Sequence, residues 1–274
     1  MTSDSSIQYR KVMSIAGSDS GGGAGIQADL KTISALGCYA TTVITALTAQ
    51  NTRGVTGIHA VPAEFVDRQI ESVLSDIGTD AVKIGMLFSV ELIQVVAEAL
   101  RRHAVTNVVL DPVMVAQSGD KLLQDDAVEA LKRELFPLAA VVTPNLPEAA
   151  VMLERPPEEL ADLKSAATEL ADLGGRSILI KGGHSEGSRS DDLLYLVDPD
   201  RFVALSGPRI ETVNTHGTGC TLSSAIAARL ACGADIETAV RDAKAFITGA
   251  IEAGAAYRLG HGHGPVHHFH RFWK

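Results

Sequence analysis

Short apolar runs alternate with amphipathic helical patterns along almost the whole of this 274-residue chain, and that alternation restricts its fold more than any other feature. Lys11 to Ala16 reads as a short buried strand that runs into GSDSGGGAG, after which Ile26, Leu30, Ile33 and Leu36 recur at helical spacing. The unit repeats: VITA around Val43 precedes a helix from Ala63, AVKIG a helix from Val90, and NVVLD a helix from Asp125. AVVTPN with its following helical run, and SILIKGG, supply two more units. Apolar strands separated by helices form parallel sheets, because each crossover lays a helix on one face and so buries the strand on both sides. The expected fold is therefore α/β, a mostly parallel central sheet with helices on both faces.

The alternation changes between Asp191 and Ser206, where DLLYLVD and RFVALS are joined by Pro199 and Asp200 and read as a hairpin at the sheet edge. From Gly217 onward the chain reads as two helices, the second with an apolar stripe of Val240, Ala243, Ile247, Ala250 and Ile251. Loop interruptions are expected at Pro156-Pro157 and in the polar stretch from His184 to Ser190. With 46% hydrophobic residues the chain can bury a large core, so residues 1–274 read as one domain, with residues 1–10 a flexible extension.

Twenty-four basic against 33 acidic residues give a net charge of −9, and no basic run exists to attract nucleic acid. Cys38, Cys220 and Cys232 are odd in number and widely spaced, which suits a reducing cytoplasm better than a disulfide framework or a zinc cluster. The start MTSDSSIQYRK lacks the apolar core of a signal peptide, and no apolar run is long enough to span a bilayer. A soluble, cytoplasmic protein without nucleic-acid or membrane partners is expected. The tail histidines His261, His263, His267, His268 and His270 have the composition of a transition-metal tract, but no second metal shell accompanies them, and they read as an ordinary folded ending.

The strongest local chemical signal is NTHGTGCTLSSAIAARL, Asn214 to Leu230, in which a glycine turn opens an apolar helix. Free amides of a first helical turn, the positive end of the macrodipole and the close approach that glycine permits together make an anion hole from Gly217, Thr218, Gly219 and Cys220. The same residues also fit an ordinary turn capping a core helix. Cys220 at the helix start is a candidate base or nucleophile, its thiolate expected to be favoured by the dipole, and equally a small buried helix residue. Two nucleotide signatures fail. Ile26 stands where the dinucleotide fingerprint starting at Gly21 and Gly23 needs glycine, and no Gly-Lys dipeptide exists for a Walker A loop.

The ordered set AGSDSGGGAGIQADLKT, TALTAQNTRGV, KIGML, DPVM, TPNLPEA, KGGH, THGTGCTL and GPVHHFH resembles the hydroxymethylpyrimidine and phosphomethylpyrimidine kinases of thiamine biosynthesis, within the ribokinase-like superfamily. The likeness spans about Ala16 to His270 and implies a three-layer α/β/α sandwich that moves a phosphoryl group from ATP to a hydroxymethylpyrimidine and then to its monophosphate. It implies the anion hole at Gly217 to Cys220, with Cys220 as base where sugar kinases of the superfamily carry aspartate, and Lys181 assisting at the transferring phosphate. Glu148 and Asn145, three apart in TPNLPE, and Asp111 are implied in the magnesium and phosphate network, which suits oxygen ligands and a hard cation. The pyrimidine is implied to meet Asp29 and Gln50, in a pocket shaped by Gly17, Met86 and Val113. His184 and His216 flank the phosphate loops as orienting groups. A homodimer is compatible with the resemblance. Two competing readings are a pyridoxal kinase, whose substrate is also a hydroxymethylated nitrogen heterocycle, and a non-catalytic pyrimidine-binding regulator.

Overall fold

The computed structural model describes residues 7–114, 126–160, 162–182 and 189–273. Strand β1 (Lys11–Asp19) leads through the glycine loop into helix α1 (Gly25–Ala35), and β2 (Tyr39–Asn51) turns back into β3 (Gly54–Ala60). Helix α2 (Ala63–Leu74), β4 (Ala81–Ile84), α3 (Val90–Arg102), β5 (Val108–Leu110), α4 (Ala127–Glu134) and β6 (Val141–Val142) continue the alternation. Helix α5 (Leu146–Met152), α6 (Leu163–Ala171), β7 (Ser177–Ile180), β8 (Asp192–Leu196) and β9 (Arg201–Leu205) precede the closing helices α7 (Thr218–Ala231) and α8 (Ile236–Gly254). The strands form one sheet in the order β3-β2-β1-β4-β5-β6-β7-β8-β9. Neighbours from β2 to β7 are parallel, whereas β3 at one edge and the β8–β9 hairpin at the other are antiparallel.

The alternation expected from the sequence is present, and so is the edge hairpin. The second antiparallel edge, β3, was not foreseen: its residues are largely exposed, so GVTGIHA carries no burial pattern by which to read it as a strand. Helix α6 was likewise missed, and the start of α4 expected at Asp125 lies outside the described residues. Residues 7–10, part of the expected N-terminal extension, carry no secondary structure, and Ile7 is 99% exposed. Among the described residues no helix is long and apolar enough to cross a membrane.

Strict alternation along the strands divides the core in two. Met13, Ile15, Val82, Ile84, Val108, Leu110, Val142, Ile178 and Ile180 pack with the helices of one layer, α2 to α6. Val12, Ala81, Val109, Val141 and Leu179 face the opposite layer, which α7 and α8 share with Ile33 of α1. Every residue of α7 from Thr221 to Ala228 is buried, because this helix lies between the sheet and its neighbours. The same two-residue period places Ser14, in the middle of β1, and Lys83, Asp111, Thr143 and Lys181, at or near strand carboxyl ends, on the α7 face of the sheet.

The histidine-rich tail folds back on this layer. His268 is buried, and its Nε2 lies 3.1 Å from Thr221 Oγ1 in the first turns of α7. His270 packs on Phe246, and His267 lies between Tyr257 and Trp273. Among the described residues no three His, Cys, Asp or Glu side chains are grouped to hold a metal ion. Burial drives the His268 pKa down from 6.5 to about 3, so the native state holds its ring neutral where an unfolded chain would protonate it. Its contribution to stability is therefore complete above pH 6.5 and drains away as the pH falls from 6.5 toward 3, by at most about 1.4 kcal/mol per pH unit. Urea denaturation at pH 7.5, 6 and 5 should show this loss in the wild type and a shallower one in His268→Gln; parallel slopes would exclude His268 as the group responsible.

Candidate active site

Asp19, at the carboxyl end of β1, organises the first glycine loop. Its Oδ1 accepts from the Gly21 amide at 2.7 Å, and its Oδ2 from the amides of Gly23 and Ala24 at 3.0 and 2.8 Å. The His216 ring meets the same Oδ2 at 2.8 Å. Burial opposes the charge on Asp19, but the His216 contact and the amides outweigh it and hold the carboxyl below its ordinary value. His216 also reaches Gln50, with Nε2 of each 3.5 Å apart, so it orients loops as expected from the sequence. His184 lies outside the described residues.

The second loop docks on the first. Gly217, the cap residue of α7, has φ +81°, a left-handed conformation that glycine adopts freely, and a Cβ there would collide with the Gly23 carbonyl. Gly217 N-terminal to an apolar helix therefore serves both loops. One residue further, Gly219 stands over a charged cluster: a Cβ added to it would lie 3.5 Å from Lys181 Nζ and 3.6 Å from Asp111 Oδ2.

That cluster joins residues far apart in sequence. Lys181 Nζ donates to Asp111 Oδ1 at 2.9 Å and lies 3.8 Å from Glu148 Oε2. Thr143 Oγ1 donates to Asp111 Oδ1 at 3.1 Å, and Ser223 Oγ to Oδ2 at 3.3 Å. Parallel pairing of β6 and β7 extends to a bridge between Asn145 and Lys181, which is why TPN and Lys181 meet at one edge. Burial works against the ammonium of Lys181, but Asp111 and Glu148 more than compensate and keep it charged. Glu148 is the strained partner: burial pushes it up to about 7, and Lys181 offsets only part of this.

Asn145, expected in the metal and phosphate network, caps the helix that carries Glu148. Its Oδ1 accepts from the Glu148 amide, and Glu148 Oε2 accepts from the Asn145 amide, both at 2.8 Å, a reciprocal capping box at the start of α5. Through this box Asn145 positions Glu148, and its side-chain oxygen, with two lone pairs, keeps one for a further partner. The oxygen-only donors of Asp111 and Glu148 fit a hard cation held largely through water.

Asp29 differs from expectation. Ser14 and Lys83 are register partners on β1 and β4, so they stand side by side on the α7 face. Asp29 of α1 meets both: Ser14 Oγ donates to Oδ2 at 2.5 Å, and Lys83 Nζ reaches both oxygens at 3.0 Å. Ser224 Oγ of α7 donates to Oδ1 at 2.7 Å. With neither Asp29 nor Lys83 exposed at all, this carboxylate is the floor of the site and has no surface left for a pyrimidine. Burial disfavours the Lys83 charge, and the adjacent Asp29 carboxylate prevails and raises its pKa.

Cys220 is partly covered, and its expected thiolate bias is overturned. Burial raises its pKa to about 11, against the opposing pull of Lys83 and of the Gly25 amide, which points at the sulfur. The ligand-free protein thus carries a thiol here at neutral pH. Gly25 in turn presses on Gly17, and Gly17 on Met86, whose methyl would meet an added Cβ at 2.5 Å. Met86 and Ala46 form a small apolar cluster with Val113 that is separate from both main cores. The chain of contacts from Val113 and Met86 through Gly17 and Gly25 reaches Cys220, and the next residue back, Gly219, caps the charged cluster.

A left-handed glycine turn thus opens a buried helix over a lysine held between two carboxylates and near a small apolar cluster, on the α/β/α fold shared by small-molecule kinases. The family model described as phosphomethylpyrimidine kinase matches residues 19–267. A hydroxymethylpyrimidine/phosphomethylpyrimidine kinase from Rhizobium meliloti is 55% identical over 263 residues, covering 96% of this chain and 98% of the relative. This chain belongs to the phosphomethylpyrimidine kinase family. Among solved structures, a phosphomethylpyrimidine kinase from Clostridium difficile is 43% identical with a TM-score of 0.77 over 88% of this chain and 99% of that one. An ADP complex of a pyridoxal kinase from Bacillus subtilis is 35% identical with a TM-score of 0.88 over 97% of this chain and 100% of that one. The two kinds of kinase share the fold, so individual side chains rather than the fold must separate their substrates.

Proposed function

We propose that this enzyme uses ATP to phosphorylate the hydroxymethyl group of a pyrimidine and then the resulting monophosphate, within thiamine biosynthesis. One observation carries the reading: consecutive residues, Gly219 and Cys220, join a cluster of one lysine and two carboxylates, which with a bound cation would meet phosphates, to a small apolar cluster suited to a flat ring. The heterocycle lies against Gly17, Met86 and Val113 with its hydroxyl toward Cys220, and the amides of Gly217 to Cys220 face the transferring phosphoryl group. Lys181 stabilises charge on that group, and Asp111 with Glu148 would hold magnesium, which when bound shields the phosphate charges. Phosphoryl transfer passes through a loose transition state, so alignment and charge stabilisation matter more than a strong base. A cytoplasmic setting and a homodimer belong to the same proposal, and light scattering at micromolar concentration tests the latter, a monomeric mass overturning it.

The direct test is a product assay with hydroxymethylpyrimidine, its monophosphate and pyridoxal, each with Mg-ATP. The pyrimidine diphosphate is the expected product, and turnover of pyridoxal alone would overturn the assignment. Gln50 is the remaining polar candidate for the ring; in the ligand-free protein it accepts from Thr48 Oγ1 at 3.0 Å, a bond readily exchanged for one to a ligand. Gln50→Ala should raise KM for the pyrimidine several-fold and leave KM for ATP nearly unchanged, whereas equal rises would point to a displaced loop.

Glu148 makes a separate, metal-specific expectation. Because its carboxyl is lifted to about 7, half of it is protonated near neutrality in the ligand-free enzyme, and a cation must displace that proton. Magnesium needed for half-maximal rate should therefore fall as pH rises from 6 to 8, and Glu148→Gln should need more magnesium at every pH. An unchanged magnesium profile in the variant would leave Glu148 only its role in capping α5.

A further inference from the structure

Outside the active site, two of the three cysteines are in contact: Cys38 Sγ lies 3.6 Å from Cys232 Sγ across 194 residues of sequence. Cys38 follows the end of α1 and is buried, whereas Cys232 closes α7 and is exposed. Each adjoins a glycine in the left-handed region, Gly37 at φ +82° and Gly233 at φ +86°, and around each an added Cβ would find nothing within 4 Å. A disulfide needs the sulfurs to close to about 2.05 Å, so they must approach by roughly 1.5 Å. Two open, glycine-adjacent turns give the backbone room for that shift.

We propose that Cys38 and Cys232 form a site of reversible oxidative modification, a dithiol that a small-molecule disulfide such as glutathione disulfide converts to an intramolecular disulfide. The exposed Cys232, as thiolate, attacks one sulfur of the oxidant; its sulfur–sulfur bond breaks, one glutathione leaves as thiolate, and a mixed disulfide forms. Cys38 loses its proton to solvent and attacks the Cys232 sulfur, expelling the second glutathione. Two thiols of the protein are oxidised and one disulfide is reduced to two thiols. Burial and the neighbouring sulfur raise the Cys38 pKa to about 12, which makes Cys232 the thiol that reacts first and Cys38 the one that resolves.

The bond would fasten α1 to α7 at the ends remote from the site. With 11 and 14 residues, these helices hold the two turns about 16 and 21 Å from the glycine loops at their amino ends. Cross-linking at that distance leaves Gly25, Gly217 and Cys220 in place, so the oxidised enzyme should keep its turnover while gaining stability from closure of a long loop.

The test equilibrates the full-length enzyme in buffers of rising glutathione disulfide to glutathione ratio, followed by acid quench, alkylation and peptide mapping. A linked pair of peptides carrying Cys38 and Cys232 is expected, with Cys220 still alkylated and the protein lighter by two hydrogens. Tm should rise on the order of 5–10 °C and fall back on reduction. Cys38→Ser and Cys232→Ser should each fold, keep basal turnover, and show neither the link nor the Tm gain. Alkylation of both cysteines at every ratio, or a link that contains Cys220, would overturn the proposal.

Discussion

Cys220→Ala is expected to lower kcat by about 10²- to 10⁴-fold, the range over which a positioned base contributes, while changing KM for ATP little. In the proposed arrangement the sulfur faces the reacting hydroxyl, so its removal would take away the candidate base and leave Lys181 in place. Its pKa of about 11 supplies a second signature. If the thiolate is the working form, each pH unit between 7 and 9 increases its population about tenfold, because both values lie below that pKa. The wild-type rate should climb over this range at saturating substrate, and the alanine variant should lack that rise. A folded Cys220→Ala enzyme with near-normal turnover, together with a flat wild-type profile, would remove the cysteine from proton transfer.

Asp29→Ala should be the most destabilising single change at the site. It strips the partner from a lysine with no solvent exposure and orphans Ser14 and Ser224, and breaking a buried pair of this kind costs about 3–5 kcal/mol. Chemical denaturation should show this as a lower midpoint at an unchanged slope. The double change Asp29→Leu with Lys83→Met removes both charges and should recover much of the loss, since the penalty arises from the uncompensated ammonium more than from absent attraction. A fully stable Asp29→Ala protein would mean that water reaches Lys83.

The glycine turn that opens α7 could be read from Asn214 to Leu230 because its determinants are local: glycine where φ is positive, then an apolar helix. Two signals were present and unused. A lysine in the middle of AVKI, a strand buried on both faces, demands a carboxylate partner, and the aspartate of GSDSGGGAG is the residue type that gathers loop amides. Both Lys83 and Asp19 were legible by residue type, but their partners, Asp29 and His216, lie 54 and 197 residues away.

Local sequence therefore determined the strand and helix alternation, the glycine turns and the residue types available for phosphate chemistry, since each follows from the preferences of a few consecutive residues. Tertiary structure decided which carboxylate is floor and which is rim. Placing Asp29 beside Lys83 required the β1–β4 register, and bridging Asp111 and Glu148 by Lys181 required parallel strands to end at one edge. It also reversed the expected bias of Cys220: a helix start favours a thiolate through nearby charge and amides, but desolvation depends on everything packed around the sulfur, and only the folded chain brings that together.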